Sequence, residues 1–221
     1  LNPKPGLAFD HYIAQTIVPD VFVRPMPGGG WSVELNNETL PRVMVDNHYH
    51  VELRQLATDS EARSFISNCY QDANWLVRAL DQRARTILKV ATELVRQQEV
   101  FFARGVQELR PLTLSTVAEN VGVHESTVSR VSNNKYIGTP RGIYELKFFF
   151  STALVNDKGA SFSAESIKAK IKNLIDDEDP KKILSDDKIV LLLKEEGIDL
   201  ARRTVAKYRE AMNIGSSVVR R

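Results

Sequence analysis

The spacing of apolar positions changes along the chain, and the changes mark its elements. Residues 1–56 hold no sustained helical period, because Pro3, Pro5, Pro19, Pro25, Pro27 and Pro41 puncture any helix longer than a few turns. Two short runs look strand-like instead, Val21-Phe22-Val23-Arg24 and Trp31-Ser32-Val33-Glu34-Leu35. With Pro27-Gly28-Gly29-Gly30 to turn the chain between them, they predict a small β-hairpin inside an extended connector. From Ser60 to Arg104 there is neither Pro nor Gly, and the period becomes helical. Phe65, Cys69, Leu76, Leu80, Ile87, Val90, Leu94 and Phe101 fit one stripe or its near neighbours. Asp59, Ser60 and Glu61 offer an N-terminal cap and Gly105 a stop. The pattern predicts one very long helix, or two broken near Tyr70 to Asp72. A helix of this length would reach about 60 Å at 1.5 Å per residue, an arm as much as a core element.

The segment LSTVAENVGVHESTVSRVSNNK, Leu114 to Lys135, carries the next pattern. Ala118 is small enough for a second helix to cross closely, and Gly122 supplies a tight turn where a side chain would clash. Val117, Val121, Val123, Val128 and Val131 form the seam between two helices. His124, Glu125, Ser126, Thr127, Ser129 and Arg130 then project from the other face, with the length and polarity of a recognition helix for a major groove. Arg130 suits a bidentate guanine contact, and Ser126 and Ser129 reach phosphates or base edges. The competing reading, a helical hairpin with an idle polar face, leaves the agreement of Ala118, Gly122 and five valines unexplained.

A polar, small-residue stretch from Asn156 to Ser163 reads as a flexible linker. Three short helices follow: Ser163 to Asp176, Ser185 to Glu196 and Leu200 to Met212. Ser163 and Ser185 stand as caps, with acids in the first turns. In the last helix Val205 and Tyr208 turn inward, while Arg202, Arg203, Lys207 and Arg209 spread over the outer face and the first turn. Gly197 and Ile198 turn the chain before it, which makes a second helix-turn-helix. Adjacent arginines at a helix start can pair guanine edges, with Lys207 and Arg209 on phosphates.

Charge sharpens this picture only once it is divided. Residues 1–59 carry a net −3, residues 60–159 a net +3 and residues 160–221 a net +2, within a total of +2. The last 21 residues hold six Lys/Arg against a single acid, Glu210. A local basic face in a balanced chain is what phosphate contact requires.

Other chemistries find little support. His48-Tyr49-His50 has no third ligand spaced with it and reads as alternate residues on a strand or turn. His124-Glu125 lacks the second His of a zinc helix, and there is no phosphate-binding Gly loop and no Ser/His/Asp order. The expectation is a binding protein rather than an enzyme, without metal or cofactor. The single Cys69 rules out an intrachain disulfide and suits a reducing cytoplasm. No apolar run has the length of a membrane span, and the opening LNPKPG, without initiator Met or signal-peptide profile, reads as mid-protein sequence.

The closing ARRTVAKYRE, Ala201 to Glu210, resembles without interruption the "RpoN box" of the sigma-54 family of bacterial RNA polymerase sigma factors. VPDVFV, WSVELN, HESTVSRV and TPRGIYELKFFF also look like family sequence, so the resemblance covers nearly the whole chain. It implies a mainly α protein: a connector after the core-binding domain with its β-hairpin (1–59), an extra-long helix and central helix-turn-helix domain (60–155), a linker (156–162), and a small three-helix RpoN domain (163–221). By resemblance, Arg202, Arg203, Thr204, Lys207, Tyr208 and Arg209 read the upstream GG promoter element. His124, Ser126, Thr127, Ser129, Arg130 and Lys135 read the downstream GC element. Trp75, Arg78 and Arg83 on the long helix lie near the base pairs where melting begins, where an aromatic wedge beside basic side chains suits a distorted step. A core aromatic is the competing role for Trp75. The partners implied are double-stranded promoter DNA, core RNA polymerase and an AAA+ ATPase enhancer-binding activator that remodels a closed complex, in a bacterial, nucleoid-associated cytoplasmic setting. The rival reading is a free-standing helix-turn-helix regulator, which would need a dimerisation or ligand domain that the sequence does not display.

Overall fold

The computed structural model describes residues 16–151, 153–155, 161–179 and 183–220. The described chain is mainly helical, with a small mixed sheet and a two-stranded hairpin. Strands β1 (Val21–Pro25) and β2 (Trp31–Leu35) form the expected antiparallel hairpin, in register from Val21↔Leu35 to Pro25↔Trp31. It is not a free connector, however. After the recognition segment come β3 (Tyr136–Thr139) and β4 (Gly142–Glu145), and β1 pairs in parallel with β3, giving the order β2-β1-β3-β4. Asp20 locks this junction: its carboxylate accepts from Lys135 Nζ at 2.8 Å and from the Tyr136 amide at 3.0 Å. At Gly138 a Cβ would lie 3.1 Å from the Phe22 ring and 3.2 Å from Pro19, so the strand crossing needs glycine's bareness.

Helix α1 (Asn47–Leu56) lies within the stretch read as connector. No proline follows Pro41 there, and the Asp46 carboxylate caps the helix by accepting from the His48 and Tyr49 amides. His48 and His50 therefore ride a helix, not a strand or turn: His48 faces Glu52, and His50 stacks on Tyr70 at 3.9 Å.

Helix α2 runs unbroken from Ser60 to Gln97, about 57 Å at 1.5 Å per residue, with no interruption near Tyr70 to Asp72. The break falls later, at Gln98, before the short α3 (Glu99–Arg104). Gln98 is buried, and its amide clasps the Arg110 backbone through Nε2 to O (2.7 Å) and N to Oε1 (3.0 Å). Gly105 ends α3 at φ +107, as its place in the sequence suggests. The apolar stripe divides in two along the helix. Ile87, Val90, Ala91, Leu94 and Val95 are buried, whereas Phe65, Cys69 and Leu76 are exposed. The C-terminal half is core, and the N-terminal half is an arm with α1 against it.

The main core gathers this buried half of α2, Val21 and Val23, Val117 and Val128, and an aromatic knot. Phe101 sits edge-on to Phe102, Tyr144 and Phe149 at 5.0–5.4 Å, the favoured T-shaped geometry. A second core joins Ile167, Ile171, Ile189, Leu193, Ile198 and Val205 from α6 (Ala164–Asp176), α7 (Asp186–Glu195) and α8 (Arg202–Ala211). Between the two lie β5 (Ala153–Val155) and β6 (Ser161–Ser163), paired antiparallel. Of the expected linker, residues 156–160 lie outside the described residues, while 161 and 162 are strand. No helix among the described residues is long and apolar enough to cross a membrane.

Candidate nucleic-acid interface

The first helix-turn-helix forms as its residues dictate. Helix α4 (Leu114–Val121) is capped by Thr113 Oγ1 accepting from the Thr116 amide, and it ends at Gly122 in the left-handed region, φ +73. Helix α5 (Glu125–Ser132) follows, with Val117, Ala118 and Val128 buried in the seam. His124 is the cap of α5: its Nδ1 accepts from the Ser126 amide at 3.2 Å and lies 2.8 Å from Ser126 Oγ. That bond occupies one ring nitrogen and fixes the imidazole at the helix start. Glu125, Ser126 and Arg130 are exposed, and Thr127 and Ser129 half-buried. Arg130 has no ion pair or hydrogen bond among the described residues, so its guanidinium is free for a base edge. Lys135 is not free. Its ammonium is committed to Asp20 at the sheet junction, where it holds the hairpin beside the motif.

Helix α4 is braced against α2 by Glu93. That carboxylate accepts from Arg96, Gln97 and Asn120 at 2.7–2.8 Å, the last from α4. The Arg96 fork, with both amides helping, outweighs burial and lowers the Glu93 pKa to about 2. Behind α5, the β3–β4 turn resembles a wing, but its Arg141 donates to the carbonyls of Phe102 and Ala103 and is tied back onto α3.

The second helix-turn-helix is α7 and α8, with Gly197 at φ +83 in the turn. Val205 is fully buried, as expected, and Tyr208 half-buried with Lys168 Nζ 5.9 Å over its ring. The four basic residues of α8 divide into three roles. Arg203 and Lys207 are exposed and unpartnered among the described residues, with the half-buried Thr204 between them. Arg202 is exposed and reaches Asp187 at 3.4 Å, a solvated pair worth little. Arg209 does not face outward at all. It is 4% exposed, its Nε and Nη2 donate to Asp186, and its Nη1 donates to the Ile214 carbonyl at 2.7 Å. The expectation that Arg209 touches phosphate is corrected on that ground. Arg209 stands four residues after Val205, on the same helical face, which the period alone could have disclosed.

A similar tie, missed in the sequence, closes the C-terminal end. Arg220 donates to both oxygens of Glu178 (2.9 and 3.1 Å) and to the carbonyls of Leu184 and Gly215. Burial pushes the Glu178 carboxyl up, but Arg220 and the Leu184 amide prevail and hold it below the usual range.

On the arm, Trp75 is 70% exposed, so it fills no core, and Arg78 and Arg83 are exposed on the following turns. Arg83 shares a groove with Arg42 and Lys135 between the 37–43 loop and α2. Exposed polar side chains thus lie on α5, on α8 and on this arm.

Known proteins match nearly the whole chain. A family model described as the sigma-54 DNA-binding domain matches residues 63–221, and one described as the sigma-54 factor core-binding domain matches residues 1–49. The second match covers most of the stretch read from sequence as a connector following that domain. The chain is 56% identical to the RNA polymerase sigma-54 factor of Azorhizobium caulinodans over 222 residues, covering all of this chain and 43% of that protein. Against the sigma-54 factor of Caulobacter vibrioides it is 57% identical, covering all of this chain and 45% of that protein. The chain thus spans less than half the length of these curated relatives. The crystal structure of Aquifex aeolicus sigmaN bound to promoter DNA matches with a TM-score of 0.60 at 32% identity, over 95% of this chain and 62% of that one.

Proposed function

Because the chain belongs to the sigma-54 family, we propose that it is the promoter-reading part of such a factor, with two helix-turn-helix readers on one asymmetric DNA site. In this reading α8 enters the major groove at the upstream GG element and α5 at the downstream GC element. The observation that carries it is that each motif presents on its second helix one exposed arginine without a side-chain partner among the described residues, Arg203 on α8 and Arg130 on α5. A guanidinium without an internal partner matches the O6/N7 edge of guanine bidentately, whereas a paired one would first have to break its pair. Lys207 and Ser126 lie beside these arginines and supply phosphate contacts.

The N-terminal part contacts core RNA polymerase, a role supported by the core-binding match over residues 1–49. The arm, with exposed Trp75, Arg78 and Arg83, stands at the base pairs that open first and helps hold a closed complex until an AAA+ activator remodels it. No catalytic role is assigned to the chain; ATP hydrolysis belongs to the activator.

Hydroxyl-radical footprinting on a duplex bearing both elements tests this. Two protected patches, one per element, with a protein that sediments as a monomer, are expected. A dimer protecting a palindrome would favour a free-standing helix-turn-helix regulator instead.

A further inference from the structure

Two helix-turn-helix units on one chain can be kept in register by a tether or by a contact, and the two devices leave different traces. A tether sets an upper distance only, and lengthening it weakens coupling smoothly. A contact sets one geometry. Here the residues between the units are not laid out as a spacer. Ser151 bridges back to Leu112, its amide donating to that carbonyl at 3.2 Å, and β5 pairs with β6 from Ala153↔Ser163 to Val155↔Ser161. Because β5 and β6 are antiparallel neighbours, Val155 and Ser161 pair side by side, so the length of chain between them does not set how far α6 lies from the central unit.

What does touch the central unit is the first turn of α6, which sits against the 3-10 turn Val106–Glu108 just after α3. Two buried serines form the seat. Ser163, fully buried, caps α6 by accepting the Ser166 amide at 3.0 Å. Ser166, 2% exposed, donates its hydroxyl to the Gln107 carbonyl at 2.6 Å. That carbonyl belongs to the turn fixed by Gly105 and by the Gln98 clasp on Arg110, so it is anchored to the same core that positions α4 and α5. On the other side, Ile167 and Ile171 of α6 enter the core that positions α8. Among the described residues, beside the β5–β6 pairing that leads into α6, the links from α5 to α8 run through this seat. Small side chains are what it needs, since a larger one at position 166 would push the two units apart.

We propose that the Ser166–Gln107 seat sets the register between the two DNA readers, and that the loop between β5 and β6 does not. This rests on the two-reader function proposed above. The device makes spacing between the two elements a structural property of the protein: the correct spacing is matched in advance, and a wrong one must first break the seat.

The test uses the whole 221-residue chain with Cys69→Ser and spin labels on Glu119→Cys and Lys194→Cys, both exposed and outside the readers. Electron–electron dipolar distances are read without DNA, then anisotropy binding to two-element duplexes with zero to three base pairs added between the elements. One variant is Ser166→Leu; the other carries a Gly-Ser-Gly-Ser-Gly-Ser insert after Lys158. A single narrow distance is expected for the parent and for the loop insert, together with about a tenfold loss of affinity per wrong spacing. Ser166→Leu should broaden the distance and bring the spacing penalty to within about twofold, with binding to each single-element duplex unchanged. A broad distance in the parent, or a loop insert that flattens the spacing profile, overturns the seat, and both can be read even if Ser166→Leu fails to fold. So does a Ser166→Leu protein that folds and keeps the narrow distance. If the parent prefers neither element over scrambled DNA, it is the two-reader function that fails, and the narrow distance still judges the seat by itself.

Discussion

Helix α5 presents one basic side chain and α8 four, yet the surplus on α8 is only partly available to DNA. Arg209 is buried against Asp186 and Arg202 leans on Asp187, which leaves Arg203 and Lys207 without a partner among the described residues, as against the single Arg130 of α5. The reason lies in the cores beneath them. The unit holding α5 has Val117, Val128, the buried half of α2 and the phenylalanine knot to fix it, and needs no ion pair from the exposed face of α5. The three-helix unit holding α8 has the smaller core, so it adds partly buried ion pairs at Asp186–Arg209 and Glu178–Arg220 to fix its helices. A basic signature in a small module therefore mixes exposed residues with residues that hold the fold.

Arg209→Ala should separate these roles with the largest effect. It strands the partly buried Asp186 carboxylate and should cost the C-terminal unit about 3 kcal/mol, seen as an early thermal transition by circular dichroism, with GG and scrambled binding lost together. If Arg209→Ala melted like the parent and lost only GG binding, Arg209 would be a reader after all. Arg203→Ala should leave melting unchanged and weaken binding by about 1–3 kcal/mol through the GG element alone, with specificity relaxed there. Equal losses on GG and scrambled duplexes would reduce Arg203 to a phosphate contact. Arg130→Ala should give a loss of similar size confined to the GC element, and no loss at all would pass the role to Ser126 or Ser129.

The central unit has one charge device of its own, and pH exposes it. Glu93 titrates at about 2 in the folded protein against an ordinary 4.5. Its contribution is therefore fully present above pH 4.5 and is lost as the pH falls from there toward 2. Glu93→Gln should flatten the acid limb of the central unit's melting curve over that window, and an unchanged limb would contradict the brace between α2 and α4. The smallest effect is expected at Trp75→Ala. The side chain is exposed, so stability and duplex affinity should barely change, while binding to DNA opened beside the GC element should weaken; loss of folding would contradict the exposed placement.

Much of this was legible in the sequence because the signals are local. Ser163 and Ser185 cap the helices they were expected to cap, Gly122 turns the first motif, and Gly105 stops α3. What was not legible depends on distant partners. The parallel pairing of β1 with β3 joins residues 115 positions apart through Asp20 and Lys135, and no local pattern marks it. That pairing gave Lys135 a structural task where its position suggested DNA. The stripe on α2 shows the same limit from the other side: periodicity found the apolar face, but whether Phe65 and Leu76 are covered depends on what else folds there. Arg209 differs, since its spacing from Val205 was a local clue that charge obscured.

The most direct measurement compares fluorescence-anisotropy binding to a duplex bearing the GG and GC elements at family spacing with the same duplex lengthened by about five base pairs, half a helical turn, between them. Two readers in fixed register on one DNA face predict that most of the affinity is lost on the lengthened duplex. Equal binding to both would mean that one unit alone reads DNA, or neither does, and would contradict the two-reader mechanism.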